Sequence, residues 1–261
     1  MTTVLIAAVL VGCLGHLAGA ARLRGRGDSW PRSRDVAFCA GGLVMIAALG
    51  APRATDWPPF TGHMAGHLGS GMAAPLLVAL GRPVTLALRT LPPAPRRQLL
   101  ALTRSRPAGA LAWPPVAALV NVGGLWLLYR APVPPYIHHG PLLHAHLFAS
   151  GALFTFAVLA LDPVRHRAGF PLRAVTLVAA SAAHAVLAKS LYAAGPPGTA
   201  YGSADLRVAS QVMYYGGDVI EVALAFALVG EWYRAGGRAL GRARAPRPPV
   251  PPGDRRGFRA P

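Results

Sequence analysis

A chain of 261 residues that is 53% hydrophobic and only 13% charged, with a mean hydropathy of +0.40, lacks the polar surface that a soluble domain of this size needs. The formal net charge of +17 would suit a phosphate-binding face, but the basic residues sit in short clusters between long apolar stretches. That distribution argues against nucleic acid as a partner and makes the lipid bilayer the expected solvent.

Seven segments approach the roughly 20 apolar residues that a membrane helix requires. They run at 2–21, 36–51, 60–80, 108–129, 141–161, 173–194 and 208–230, the second being the shortest. The expected fold class is all-α, a polytopic membrane helix bundle of about seven transmembrane helices. In the first segment, Leu10-Val11-Gly12-Cys13 resembles a lipoprotein cleavage box, but no positively charged n-region precedes it, so the segment reads as a retained span. Cys13 and Cys39 both fall in apolar runs, neither in a CxxC pair, and each is expected to be a small buried thiol rather than part of a disulfide framework. Residues 1–232 then form the membrane domain. Residues 233–261, ending APRPPVPPGDRRGFRAP, form an Arg/Pro-rich cytoplasmic tail expected to be disordered.

Orientation follows from the arginines. Alternate intervals, at 22–34, 82–106, 165–173 and 234–259, carry nearly all of them, and the other intervals hold Arg53, Arg130 and Arg207. The positive-inside rule therefore places the amino terminus outside and the carboxyl terminus inside, in a cell's inner (plasma) membrane, and losing one span would scramble the alternation.

Ionisable groups inside spans are costly, so each needs a reason. His63 and His67, in HMAGHLGSGM, are four apart on one helix face. They could bind a metal together, with the thioethers of Met64 and Met72 suiting Cu(I), or hydrogen-bond across helices. In HHGPLLHAHLF, His138 and His139 read as loop residues. His144 shares its face with Phe148, Gly151 and Thr155, whereas His146 points about 200° away. His63, His67 and His144 fall at similar depth near the outer surface. Deeper lie His184 and Lys189, then Asp218 and Glu221 at a spacing of three, which could relay protons, orient a ligand or neutralise one another as a structural set. His16 and His166 read as interfacial on the cytoplasmic side.

The stretch HMAGHLGSGMAAPLLVALGRPVTLALRTLP, through His63, Met64, His67, Pro75, Leu76, Leu77, Leu80, Gly81 and Pro83, resembles the multi-spanning CtaG family of cytochrome c oxidase assembly proteins. His144 to Gly151 with Phe154, and Asp205, Met213, Gly216, Gly217, Asp218 and Trp232, are similar to two further helices of that family. Gly66 and Leu68 stand where the family pattern has Gln and Met, and Leu206 and Asp218 where it has Gln and Glu.

The resemblance implies a non-enzymatic assembly factor for a haem-copper oxidase that binds copper through His63, His67, His144 and Met64 and delivers it at the outer face. His184, Asp218 and Glu221 would act behind those ligands or as a proton relay. The implied partners are subunits of a terminal oxidase and the bilayer, with homo-oligomer formation left open. Two alternatives stand beside it: a membrane haem protein with axial histidines from separate spans, and a proton-coupled transporter using Asp218, Glu221, His184 and Lys189. No G-x-S-x-G, H-E-x-x-H or P-loop pattern points to an enzyme.

Overall fold

The computed structural model describes residues 2–54, 56–132, 141–163 and 167–244, the side chains of 51–54, 141–142 and 238–244 excepted. His138, His139 and His166 lie outside the described residues, as does the predicted tail beyond Arg244.

Every described element is helical: α1 (Thr2–Gly25), α2 (Arg32–Ala54), α3 (Pro59–Leu68), α4 (Ala74–Leu80), α5 (Pro83–Thr90), α6 (Pro93–Thr103), α7 (Arg106–Leu111), α8 (Pro114–Ala118), α9 (Gly124–Arg130), α10 (Pro141–Leu159), α11 (Phe170–Ala193) and α12 (Ser203–Arg244). Single π-helical turns, Gly69–Ala73 and Leu119–Gly123, join α3 to α4 and α8 to α9. Proline opens α3, α5, α6, α7, α8 and α11, in the first turn where a missing N–H costs nothing.

By length and composition α1, α2, α11 and α12 can each cross a membrane, and Pro59–Leu80 with Pro83–Thr90, bent by 44°, makes a fifth span if its limbs count as one. This count, four to five among the described residues, is coarser than the seven that the sequence suggests. α8 to α9 and α10 occupy the remaining two predicted segments as shorter or interrupted helices. Two elements outrun their predicted limits furthest. α2 is 23 residues long, and α12, at 42, continues through Trp232 to Arg244.

The bundle has two distinct ends. At the arginine-rich end, Glu231 stands 3.4 Å from Arg82 and 3.9 Å from Arg167, and Arg89 pairs with Asp28 at 3.0 Å. There the buried Arg173 donates to the carbonyls of Val158 and Leu159, which α10 leaves free at its end. His16, expected at the interface, is instead 5% exposed, its ring stacked on Phe38 with centroids 4.1 Å apart. The cause is the α1–α2 hairpin, which closes over a buried Asp35 held by Trp30 and Arg24.

Asp162 and Asp205 cap helices from which they are remote in sequence. α3 and α5 begin alike, Pro59-Phe60-Thr61 and Pro83-Val84-Thr85, and neither has a cap of its own. Asp205 on α12 accepts from the Phe60 and Thr61 N–H groups, at 2.9 and 2.8 Å, and from the Thr61 hydroxyl at 2.7 Å. Asp162 does the same for Val84 and Thr85, the Thr85 N–H lying at 2.8 Å. Each carboxylate satisfies orphan donors at a helix N-terminus, where the dipole also favours negative charge.

Pro75 shapes the centre. It cannot donate to the Gly71 carbonyl four residues back, and the helix takes its π turn over that stretch, with the Ala74 N–H bonded to Gly69 instead. The Gly71 carbonyl then faces Gly151 of α10 so closely that a Cβ there would stand 1.8 Å from its oxygen. Two apolar clusters fill the bundle on either side. One is built around Met64, Tyr129, Leu187 and Met213 towards the arginine-poor end, the other around Leu76, Phe154, Val158 and Leu224.

Gly151→Ala should therefore destabilise by about 1–3 kcal/mol or more, because the obstructing atom is backbone and cannot rotate away. Gly12→Ala, where nothing lies within 4 Å, should be neutral or gain up to about 1 kcal/mol of helix propensity. Thermal unfolding of both variants in detergent checks this; equal midpoints would contradict the close approach.

Candidate functional site

The Asp205 cap fixes the start of α3 and so the position of its histidines. His63 Nε2 lies 2.8 Å from the Tyr129 hydroxyl, and its ring is parallel to that of Phe60, with centroids 6.0 Å apart. Tyr201, in the loop before α12, stacks on the other ring neighbour, Phe60, at 4.6 Å, and burial together with the adjacent Asp205 carboxylate holds its phenol above the usual range. One turn on, His67 presents its ring edge-on to the same Tyr129, at 6.4 Å between centroids.

His67 is 2% exposed, and neither ring nitrogen has a hydrogen-bond partner. A buried polar group normally has one, and leaving it unpaired costs on the order of 1–3 kcal/mol. Facing it is His184 of α11, with ring centroids 6.0 Å apart. His184 Nδ1 stands 3.3 Å from Glu221 Oε1 on α12, and its Nε2 is also buried without a partner. Gly217 makes the room: a Cβ there would lie 2.4 Å from His184 Cε1.

These rings border a cavity of about 30 Å³, between the two apolar clusters, whose other polar edges come from Asn121 and Thr155. Met72 and Gly71 of one π turn and Asn121 and Val122 of the other line it as well. Such turns recur at functional sites because they shift side chains out of helical register. The volume exceeds the roughly 10–15 Å³ that a single water-sized group needs. A carboxylate on Nδ1 places the proton there and leaves the Nε2 lone pair of His184 available, an arrangement common behind metal-binding imidazoles.

The expected residues are thus redistributed. His67, His184 and Glu221, which the sequence assigned to two depths, line one cavity. His63 is engaged by Tyr129, and His144 Nδ1 lies 3.4 Å from the Ser70 hydroxyl on the π turn. Met64 is fully buried in the apolar cluster, so Met72 is the thioether at the cavity. Asp218 is not among the lining groups, and Lys189 is exposed over the Tyr214 ring at 5.1 Å instead of pairing with either carboxylate. Among the described residues no three His, Cys, Asp or Glu side chains converge on one point. Asn121 and Tyr129 were missed. The amide in the apolar run LVNVGG was the available signal for the first, since polar groups at that depth call for an explanation.

The family model described as "Cytochrome c oxidase caa3 assembly factor" (Caa3_CtaG) matches residues 14–235. The chain belongs to this caa3 assembly factor family. The chain is also 35% identical over 191 residues to the uncharacterized proteins Mb0105 of Mycobacterium bovis and MT0111 of Mycobacterium tuberculosis, and 32% identical to ML1998 of Mycobacterium leprae. The matches cover 69%, 69% and 68% of this chain but 29% of each relative, so the chain spans less than a third of the curated relatives' length. No solved structure matches the chain. The caa3 family match takes in α3, α10, α11 and most of α12, and therefore the whole cavity.

Asp205→Ala should lower stability by about 1–2 kcal/mol by uncapping α3, while Asp205→Asn, which keeps an acceptor oxygen, should lose less. Thermal unfolding in detergent would show it, and an unchanged midpoint for the alanine variant would refute the cap.

Proposed function

We propose that this caa3-family chain assists assembly of a haem-copper cytochrome c oxidase by holding a copper ion as cargo in the histidine cavity and releasing it to an oxidase subunit. The chain would sit in the plasma membrane as seven spans, the interrupted α8 to α9 and the short α10 counted among them, with its amino terminus outside and carboxyl terminus inside. The arginine-poor end is then the outer face. The observation that carries the reading is the trio of buried, unpaired imidazole nitrogens on His67 and His184 around one cavity.

The donor set fits a small soft cation. Metal–nitrogen bonds of about 2.0–2.1 Å on each side, with the half-widths of two rings, add up close to the 6.0 Å centroid separation. Imidazole and a nearby thioether suit copper. Glu221 would orient His184 and offset the charge of the ion, while His63, Tyr129 and His144 lie between the cavity and the arginine-poor end, where an ion would enter and leave. Two firm ligands rather than four would hold the cargo loosely enough for transfer. A haem needs far more space than about 30 Å³, so the axial-histidine alternative is disfavoured at this cavity. No catalytic step is assigned to any residue.

Copper titration of the purified chain tests the assignment. His67→Ala and His184→Ala should each abolish stoichiometric binding at the cavity, Glu221→Gln should weaken it about 10–100-fold, and His63→Ala should weaken it less. In cells lacking the gene, oxidase copper content should fall and be restored by the wild-type chain but not by His67→Ala. Undiminished copper binding in both the His67 and His184 variants would sink the proposal.

A further inference from the structure

The chain has a single lysine, and it lines a groove that is separate from the histidine cavity. Lys189 lies one turn from the arginine-poor end of α11, exposed, with its ammonium 5.1 Å from the centroid of the Tyr214 ring. No carboxylate pairs with it among the described residues. The groove holds about 380 Å³ between α11 and the first four turns of α12. Lys189 and Tyr192 line it from α11, and Ser210, Gln211, Tyr214 and Tyr215, which share one face by their spacing, line it from α12. No acidic side chain borders it.

A lysine near a helix end and tyrosines at the same level are ordinary at a membrane interface. Ser210 is not accounted for in that way. Hydroxyls on helices commonly turn back to the carbonyl four residues earlier, as Ser70, Thr90, Thr103 and Thr176 do at 2.7–3.0 Å. Ser210 is 2% exposed, and its hydroxyl has no hydrogen-bond partner at all. An unpaired buried hydroxyl and an unpaired ammonium therefore border the same groove.

We propose that this groove binds the phosphate of an anionic phospholipid headgroup in the leaflet at the arginine-poor end of the bundle. A phosphodiester brings one negative charge and only acceptor oxygens, which matches a lining of one cation and neutral donors. Lys189 meets the charge, and Ser210 and Gln211 supply donors from α12. Tyr192 and Tyr215, 49% and 65% exposed, add phenol donors and leave apolar ring surface for the adjoining methylenes. A choline headgroup would set a second cation beside Lys189, so the site favours a headgroup without one. The proposal needs the chain to sit in a bilayer but is independent of the copper reading.

The single lysine makes the site readable without a variant. In nanodiscs of phosphatidylglycerol, an amine-acylating reagent should modify Lys189 of the full-length chain about tenfold more slowly than in phosphatidylcholine, the loss expected when one charge-assisted contact covers the amine. Rates are normalised to the chain's α-amino group, which lies at the same end and shares the surface potential. After detergent extraction, Lys189→Gln should retain about tenfold less phosphatidylglycerol and Ser210→Ala about threefold less, while Lys189→Arg keeps it. Equal normalised rates in the two lipids, or unchanged retention in Lys189→Gln, would overturn the proposal. Protection of Lys189 by inorganic phosphate in neutral detergent, without protection by phosphatidylglycerol, would also overturn it and point to a soluble phosphate ligand. None of these outcomes bears on the histidine cavity, since all are read on the copper-free chain.

Discussion

Pro75 cannot donate a hydrogen bond, and a helix in an apolar medium has to accommodate the carbonyl left behind. The π turn at Gly69–Ala73 is that accommodation, and the packing around it follows from where the Gly71 carbonyl points. Only a residue without a side chain can oppose it, so α10 crosses at Gly151. This crossing brings Thr155 to the same level as His67 and sets one wall of the cavity. A leucine at position 151 or a donor-competent residue at 75 would favour a regular helix and a different register for His67.

Close contact is bought elsewhere with small residues too, as expected where lipid tails leave little hydrophobic drive between helices. Gly217 admits the His184 ring and Gly42 the Cys13 sulfur. At both places glycine lets a polar or polarisable side chain enter an otherwise apolar interface. The charged groups do different work. Asp162, Asp205 and Arg173 satisfy helix ends, and Glu231 with its arginines ties α5 and α12 together at one face.

Helix content and the placement of apolar segments were legible because hydropathy and proline punctuation are local signals. The limits of α2 and α12 were not, since arginines at a helix end look like loop in a hydropathy window but continue as helix outside the apolar layer. The facing of His63 and His67 followed from their spacing of four. Their division of labour did not, because it depends on Tyr129, a partner 66 residues away. Estimating depth by counting from segment ends separated His184 from His67, and α3 and α11 in fact bring the rings together.

The two distant caps carry an implication for the order in which the chain can mature. α3 and α5 emerge early in synthesis, yet the carboxylates that close their first turns, Asp205 and Asp162, lie more than 75 residues downstream. His184 and Glu221 are equally late arrivals. A nascent chain that has inserted α1 to α9 but not yet α10 to α12 holds two helices with open amino ends and one half of an imidazole pair. The same final helix that closes α3 also delivers Glu221, so the cavity and the bundle are completed together.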